Sequence, residues 1–260
     1  MTQDKTITTG NKGNEPELTL KEKIMSEVKF FAGLFVFIFF FFSTVWGHYK
    51  IPSESMLPTL EVGDHVYVSK FTYGYSRHSL PFGFHKLPIA DGKQIWSRLP
   101  KRGDVVVFRN PVSGIIMIKR VTGLPGDTVQ TRQGRLFING TQIEREIVDH
   151  FRYRAHKGGV TLVTQYDEKL PGEKDSHLIY EVTSEGPLDN KGPFSIPAGH
   201  VFFMGDNRDN SVDSRDTVEG PGMVPVDHLI GRADSMMFSF KRCDKEEGLR
   251  CPPRRFLKGL

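Results

Sequence analysis

One uninterrupted apolar segment constrains the fold of this chain more than any other feature of its sequence. Residues 30–47, FFAGLFVFIFFFFSTVWG, contain no charged side chain and lie between Lys29 and His48. At about 1.5 Å per residue, an α-helix of this length spans about 27 Å, which is just enough to cross the hydrocarbon core of a bilayer. The sequence therefore predicts a transmembrane helix over residues 30–47.

A cleavable signal peptide is the alternative interpretation of this segment. Against it, 29 residues precede the apolar run, and no convincing small-x-small cleavage site follows it. We therefore expect a retained anchor. It divides the chain into an N-terminal segment of residues 1–29, the membrane helix, and a large domain of residues 48–260.

The lysines on the two sides of the helix predict its orientation. Within about twenty residues, several lysines precede the apolar run, whereas only Lys50 follows it. The preceding ones are Lys12, Lys21, Lys23 and Lys29. Because positively charged flanks stay in the cytoplasm, we expect residues 1–29 on the cytoplasmic side and residues 48–260 on the outer side of the membrane.

The predicted outer domain has the local patterns of a mostly β protein. Three stretches place Gly-Asp before an apolar, β-branched run, namely VGDHVYVSKF (62–71), RGDVVVFRNP (102–111) and PGDTVQTRQG (125–134). Gly-Asp favours a turn, and the apolar run favours a strand. RLFINGTQIER (135–145) predicts a hairpin with Asn139-Gly140 as a type I′ turn.

Two longer stretches lack this pattern. Residues 145–200 are more polar and have no single period, so we expect an inserted subdomain with short strands. Residues 80–100 are rich in Pro, Gly and aromatic residues. They form either an Ω-loop or a loop that places Phe82, Phe84 and Trp96 at the membrane interface, where aromatic rings are favoured.

Charge and cysteine content narrow the possible functions. The net charge is only +4, and Lys and Arg are scattered, so a nucleic-acid surface is not indicated. The only two cysteines, Cys243 and Cys251, have no further Cys or His at ligand spacing, which excludes a metal motif. They are either free thiols or a local disulfide, and export to an oxidising compartment would favour the disulfide.

Two serines lie in a stiff turn directly after the membrane segment. Ser53 and Ser55 stand between two prolines in IPSESMLPTLEVGD, residues 51–64. Ser55 is eight residues beyond Gly47, which is at most about 29 Å of extended chain, so it stays close to the outer membrane surface. Serine in a turn commonly caps the backbone, but a nucleophile here would act on bonds just outside the bilayer.

A serine nucleophile needs a base, and the first candidates are the histidines. All nine lie in the predicted outer domain, yet no serine stands in the G-x-S-x-G turn that would point to a histidine partner. The members of a Ser-His-Asp triad need not be neighbours in sequence, so a triad stays open.

Lys119 is the better candidate base. It lies in GIIMIKRVTGLPGD (114–127), where strand alternation places it on one face with Met117 and Val121. Loss of hydration on an apolar face lowers the pKa of a lysine, and a fall from about 10.4 to about 7.5 costs about 4 kcal/mol. A neutral Lys119 would take the proton of Ser55. The alternative is a side chain that extends to solvent beside Arg120.

A dense polar stretch, FFMGDNRDNSVDSRD, follows an apolar run at residues 202–216. Calcium-loop spacing fails, because the sixth position from Asp206 is Ser211 rather than Gly and the twelfth is Thr217 rather than Glu. The stretch is either a solvated loop or a network of Asp–Arg pairs and turns that makes a site rigid. In the second case, Ser211 would hydrogen-bond the lysine amine.

Together these stretches resemble the bacterial type I signal peptidases, also called leader peptidases. PSESMLPTL (52–60) is similar to the nucleophile motif of the family, and GDNRDNSVDSR (205–215) is similar to its last motif. RGDVVVF (102–108) and IKRVTGLPGD (118–127) resemble the motifs before and around its catalytic lysine. All four motifs come in the order of the family, from the membrane segment to about residue 240.

The resemblance implies a serine–lysine dyad, with Ser55 as nucleophile and Lys119 as general base. Ser53 would be the side-chain donor of the oxyanion hole, beside the backbone N–H of Ser55. Ser211 would orient Lys119.

The resemblance also implies roles around the dyad. Asp213 and Arg215 would support the site, and Ile51 and Ile118 would line shallow apolar pockets for small substrate side chains. The fold of the family is mostly antiparallel β with an inserted subdomain, in agreement with the prediction for 145–200. Some members have two membrane spans, whereas one is predicted here.

The function implied by the resemblance is a membrane-anchored serine endopeptidase that removes signal peptides from exported preproteins, without a metal or a cofactor. Its partners would be preprotein signal peptides, which would bind extended along a sheet edge, and the lipid bilayer. It would lie in the bacterial cytoplasmic membrane with its catalytic domain on the outer, periplasmic side. The alternatives are a serine–lysine protease of narrower substrate range and an inactive, membrane-tethered peptide-binding module.

Overall fold

The computed structural model describes residues 19–76, 78–79, 96–156, 158–239, 246–251 and 256–260. The chain divides into two compact units, Met1–Phe41 and Phe42–Leu260. The described part of the first unit is helical, and the second unit is built from antiparallel β-sheets. The predicted mostly β architecture behind an apolar N-terminal helix is confirmed.

The helix α1 spans Leu20–Val45 and is long and apolar enough to cross a membrane. It begins at a capping box, in which the Thr19 N–H donates to the Glu22 carboxylate at 2.8 Å and the Glu22 N–H donates to Thr19 Oγ1 at 3.3 Å. This cap places the start ten residues before the predicted 30–47. The end lies two residues earlier than predicted, because Trp46 and Gly47 belong to the first strand.

The strands described in the second unit range from 2 to 11 residues in length. They are β1 (Trp46–Lys50), β2 (Asp64–Ser69), β3 (Val105–Arg109), β4 (Ile116–Gly123), β5 (Thr128–Arg132), β6 (Arg135–Ile138), β7 (Thr141–Gln142), β8 (Arg145–Arg154), β9 (Val160–Glu168), β10 (His177–Glu181), β11 (Lys191–Ser195), β12 (His200–Met204), β13 (Val224–Pro225), β14 (Leu229–Ser239) and β15 (Phe256–Gly259). A 3₁₀ turn, Val226–His228, precedes β14.

The largest sheet has the strand order β1-β2-β14-β3-β4-β12-β13, and β15 also pairs with β14. All of its strand pairs are antiparallel. One buried apolar cluster on this sheet contains side chains of β2, β3 and β14 together with Met56 and Leu60, both 0% exposed. Because Met56 and Leu60 are anchored there, the serine-bearing turn is held against the sheet.

Two smaller antiparallel sheets complete the second unit, with strand orders β11-β5-β6-β7 and β10-β9-β8. Asn139 and Gly140 have φ angles of 53° and 78°, as a type I′ turn between β6 and β7 requires, which confirms that hairpin. The segment 145–200, predicted to be an inserted subdomain, supplies β8, β9 and β10. Its last strand, β11, pairs with β5 outside the segment.

The three Gly-Asp turns predicted from the sequence share one hydrogen-bonding pattern. Gly63, Gly103 and Gly126 have φ angles of 92°, 86° and 89°, in the left-handed region that favours glycine. Each following aspartate accepts a hydrogen bond from an N–H three residues before it, Asp64 from Glu61 at 2.8 Å, Asp104 from Lys101 at 2.9 Å and Asp127 from Leu124 at 2.7 Å. A strand begins at or directly after each aspartate.

Two predictions fall wholly or partly outside the described residues. Phe82 and Phe84 lie there, and of the three aromatic residues expected in an interfacial loop only Trp96 is described, with an exposed side chain. Cys243 also lies outside the described residues. Cys251 is disulfide-bonded, so the alternative of a free thiol at this position is wrong.

Candidate active site

The turn after β1 presents its two serines differently. Ser55 is buried with 7% of its surface exposed, whereas Ser53 is exposed to solvent. Their hydroxyl oxygens lie 3.3 Å apart. The Leu57 N–H donates to Glu54 O at 3.0 Å, and this hydrogen bond closes the turn around Ser55. The chain therefore offers one protected hydroxyl and one accessible hydroxyl at the same place.

Lys119 approaches Ser55 from β4. Lys119 lies opposite Val106 of β3 in the sheet, and only 4% of its surface is exposed. Lys119 Nζ lies 2.5 Å from Ser55 Oγ and donates a second hydrogen bond to Ile118 O at 3.2 Å. The structure thus brings together the two predicted dyad residues, which are 64 positions apart in the chain.

Burial changes the protonation of Lys119. Loss of hydration lowers the pKa of its amine to about 8, although the carboxylates of Asp213 and Asp206 raise it in part. A lysine with this pKa has a neutral, proton-accepting fraction near neutral pH, which an ordinary lysine lacks. The arrangement is that of a serine hydroxyl beside a general base.

The last motif holds the nucleophile turn in place through Asn207. The Asn207 N–H donates to Ser55 O at 3.1 Å, and its side-chain amide donates to Glu54 O at 3.1 Å. Gly205, two residues earlier, has no room for a side chain, because a Cβ there would come within 2.5 Å of Ser55 O. These contacts fix the backbone that carries Ser55.

Asp213 and Arg215, predicted to support the site, form a buried ion pair. Arg215 donates to both carboxylate oxygens of Asp213 at 2.9 Å, and both side chains are fully buried. Asp213 also accepts the Gly205 N–H at 3.0 Å. Burial alone would raise the pKa of Asp213, but the Arg215 guanidinium holds it below its usual value. Asp213 is therefore an anion that braces the loop opposite Lys119.

Ser211 differs from the expectation. Its hydroxyl is buried near the Asp213 carboxylate, and among the described residues it forms no hydrogen bond to Lys119. Ser211 lies directly beside Gly205, where an added Cβ would come within 2.2 Å of Ser211 Oγ. Lys119 Nζ is instead oriented by Ser55 and by the carbonyl of Ile118.

Ile51 and Ile118, expected to line substrate pockets, belong to the buried apolar cluster around Met56. Their exposed fractions are 2% and 8%. Ile118 directly precedes Lys119, and Ile51 lies two residues before Ser53. Their contact with substrate stays a prediction.

Sequence reasoning missed a second set of buried ion pairs. Arg120 donates to both carboxylate oxygens of Asp206, at 2.8 and 2.7 Å, and Arg208 pairs in the same way with Glu168. Arg120 directly follows Lys119, and Arg208 lies two residues after Asp206, so both arginines are evident in the sequence motifs. Their partners were not, because 86 and 40 residues separate the members of each pair.

The structure also bears on the alternatives for the base and for a metal. In the part of the chain that the structure describes, no histidine hydrogen-bonds Ser55, whose hydroxyl contacts Lys119 and Ser53. Among the same residues, no group of three or more His, Cys, Asp or Glu side chains is placed to hold a metal ion.

Comparison with known proteins places these motifs in a wider group. The family model described as signal peptidase, peptidase S26, matches residues 24–238, which include all four motifs. Signal peptidase I of Pseudomonas aeruginosa is 40% identical over 242 residues, covering 87% of this chain and 79% of that protein. Signal peptidase I of Pseudomonas fluorescens is 37% identical with the same coverage. That of Rickettsia typhi is 36% identical over 199 residues, covering 74% of this chain and 72% of that protein.

Proposed function

Because this chain belongs to the signal peptidase family, peptidase S26, we propose that it removes signal peptides from exported preproteins as a membrane-anchored serine endopeptidase. One observation carries the proposal, namely the buried contact of 2.5 Å between Lys119 Nζ and Ser55 Oγ. It places a nucleophile and a base within hydrogen-bond reach, which acyl transfer requires.

The geometry supports the following steps. The neutral Lys119 amine accepts the proton of Ser55 Oγ as that oxygen attacks the scissile carbonyl. The protonated amine then gives this proton to the departing amine of the mature protein, and an ester on Ser55 remains. A water molecule next loses a proton to Lys119 and attacks the ester, which releases the signal peptide and restores the hydroxyl. Each step uses Lys119 once as base and once as acid.

Ser53 is the proposed side-chain donor to the oxyanion. Its exposed hydroxyl lies 3.3 Å from Ser55 Oγ, so a carbonyl attacked by Ser55 comes within its reach. The backbone N–H of Ser55 would supply the second donor. Such donors act most strongly on the charge that develops in the transition state.

Replacing Ser53 by alanine should lower kcat for preprotein cleavage by about 10²- to 10³-fold, with KM changed little. Ser53→Thr, which keeps a hydroxyl, should retain much more activity. Steady-state kinetics with a purified preprotein separates kcat from KM. A Ser53→Ala enzyme with wild-type kcat would show that Ser53 does not stabilise the oxyanion.

Substrate selection is proposed to depend on Ile51 and Ile118. Ile118 precedes Lys119 and Ile51 lies two residues before Ser53, so their apolar side chains would favour small residues such as Ala before the scissile bond. A panel of unrelated preproteins tests the function, with each cut site mapped. Cleavage of many of them after small residues supports the proposal. Cleavage of only one or two favours the narrower protease, and binding without cleavage favours the inactive module.

We propose that α1 anchors the enzyme with its N-terminus in the cytoplasm and its β-sheet unit on the outer, periplasmic side. Support comes from the apolar helix and from the excess of lysines before it. Protease added to sealed spheroplasts should digest the β-sheet unit. Protection of that unit in intact spheroplasts, with digestion after lysis, would reverse the proposed orientation.

A further inference from the structure

The tip of the hairpin formed by β8 and β9 contacts the nucleophile turn. The Glu54 carboxylate, between the two serines, accepts the backbone N–H of His156 at 2.6 Å. A longer contact of 3.5 Å joins the same carboxylate to the side-chain amide of Asn210. Glu54 thus links the turn that carries Ser55 to a hairpin more than a hundred residues later in the chain.

The short segment Glu246–Cys251 lies along β8 and contacts the same hairpin through hydrogen bonds and ion pairs. Glu246 pairs with Arg154, and the Arg250 N–H donates to Arg152 O at 2.8 Å. The Arg250 guanidinium lies 4.4 Å from the ring of Phe151 and donates to the Asp149 carboxylate at 2.8 Å. β8 is an edge strand of its sheet, and β9 pairs with one side of it. The segment Glu246–Cys251 covers the other side of β8.

Arg154 contacts both the segment Glu246–Cys251 and the tip of the hairpin. Besides Glu246, its guanidinium donates to Gly158 O at 2.8 Å, inside the turn closed by the Ala155 N–H to Gly159 O at 2.7 Å. The position of the His156 N–H is therefore set by the hairpin, not by His156 alone.

We propose that Glu54 is a positioning residue for the cleavage reaction. It ties the nucleophile turn to the β8–β9 tip, and the segment Glu246–Cys251 keeps that tip in place. This inference rests on the proposed function and extends it to the inserted strands. Glu54 stands next to Ser55, so loss of the tie lets the backbone of Ser55 move relative to Lys119, and the effect falls on kcat.

A second link from the hairpin explains why the effect should be moderate. The Asn207 side-chain amide, which donates to Glu54 O, also lies 3.5 Å from the hydroxyl of Tyr153. The Asn207 backbone N–H still holds Ser55 O when the Glu54 side chain is absent. The turn then loses one of several restraints.

The test uses the full-length enzyme in detergent with a purified preprotein. Glu54→Ala should lower kcat about five- to tenfold, the size of one net hydrogen bond, with KM changed less than about twofold. Glu54→Gln, which keeps an acceptor oxygen, should restore most of kcat. Glu146→Ala removes an exposed glutamate of β8 that does not contact the nucleophile turn; it serves as the control and should match the wild type.

Amide hydrogen exchange gives a readout that does not need cleavage. The His156 amide should exchange about fivefold or more faster in Glu54→Ala than in the wild type, and near the wild-type rate in Glu54→Gln. Protection of this amide in Glu54→Ala would overturn the proposed tie. If the wild type cuts no preprotein, the proposed function is wrong. The exchange rates still test whether the Glu54 carboxylate holds the His156 N–H.

A double-variant cycle tests whether the hairpin acts through Glu54. Arg154→Ala should lower kcat by about two- to threefold in the wild type and by nothing further in Glu54→Ala, because both changes release the same tip. Full additivity, or a Glu54→Ala enzyme with wild-type kcat and a released His156 amide, would show that the tip does not position Ser55.

Discussion

Replacing Lys119 by alanine should lower kcat/KM for preprotein cleavage by about 10⁴-fold, and the residual rate should come from substrate binding and the oxyanion hole. The physical reason is the 2.5 Å contact with Ser55, because no other described group near that hydroxyl can take its proton at neutral pH. Single-turnover cleavage of a purified preprotein measures the effect. Lys119→Arg should be equally inactive, since a guanidinium stays charged.

Two controls separate lost chemistry from lost fold. Lys50→Ala removes an exposed lysine on β1 and should leave cleavage unchanged. Lys119→Met keeps the length of the side chain without its charge, and it should remain folded. Wild-type cleavage by a folded Lys119→Met enzyme would exclude Lys119 as the base.

The stability of Lys119→Met has a predictable sign. The folded-state pKa of Lys119 is about 8, below the unfolded value near 10.5, so the protonated lysine opposes folding. At pH 7, the free energy of unfolding of Lys119→Met should therefore exceed that of the wild type by about 3 kcal/mol, because each pKa unit corresponds to about 1.36 kcal/mol. This advantage should shrink as the pH rises from 8 towards 10.5, because the unfolded lysine then also loses its proton.

Replacing Asp206 by alanine should lower the free energy of unfolding by about 3–5 kcal/mol, the cost of leaving one member of a buried ion pair uncompensated. Arg120 is fully buried, and among the described residues it would keep the Gly103 carbonyl, Thr59 Oγ1 and Glu173 at 3.8 Å. Urea denaturation at pH 7 measures the change.

A matched double variant identifies the unpaired charge as the cause. Arg120→Met with Asp206→Leu removes both charges, and it should regain most of the stability lost in Asp206→Ala. Equal loss in both variants would point to packing instead.

The effect of Asp206→Ala should also depend on pH. The pKa of Asp206 is lower when folded than the ordinary value near 3.9, so the pair stabilises the fold above that pH. Stability is then lost as the pH falls through the folded-state pKa, and wild type and variant should converge in strong acid. A difference that persists unchanged at low pH would contradict the ion-pair explanation.

The sequence predicted those parts of the site in which a local pattern determines geometry. Alternation along β4 made a buried lysine of lowered pKa one of two interpretations of Lys119, and the serine turn between prolines also allowed a simple backbone cap. The resemblance of the four motifs to one family decided in favour of a base and a nucleophile. The Gly-Asp turns were predictable because both the glycine conformation and the aspartate hydrogen bond are local.

The parts of the site that could not be predicted are the contacts between residues that lie far apart in the sequence. Nothing near Arg120 or Arg208 in the sequence indicates which carboxylate each will pair with, and nothing near Glu54 indicates that it accepts the His156 N–H. The start of α1 was missed for a different reason. Charged side chains before residue 30 limit the apolar run, but they are compatible with a helix, and the helix continues back to its cap at Thr19.

Titration of the Lys119 amine in the folded enzyme tests the central claim most directly. Nitrogen-15 NMR of the enzyme labelled at lysine, with Lys119→Met to assign the signal, gives the pKa in the absence of substrate. A midpoint at about 8, matched by an acid limb of kcat/KM with the same pKa, is the expected result. A midpoint near 10.4, with cleavage independent of pH between about 6 and 9, would contradict a neutral lysine as the base.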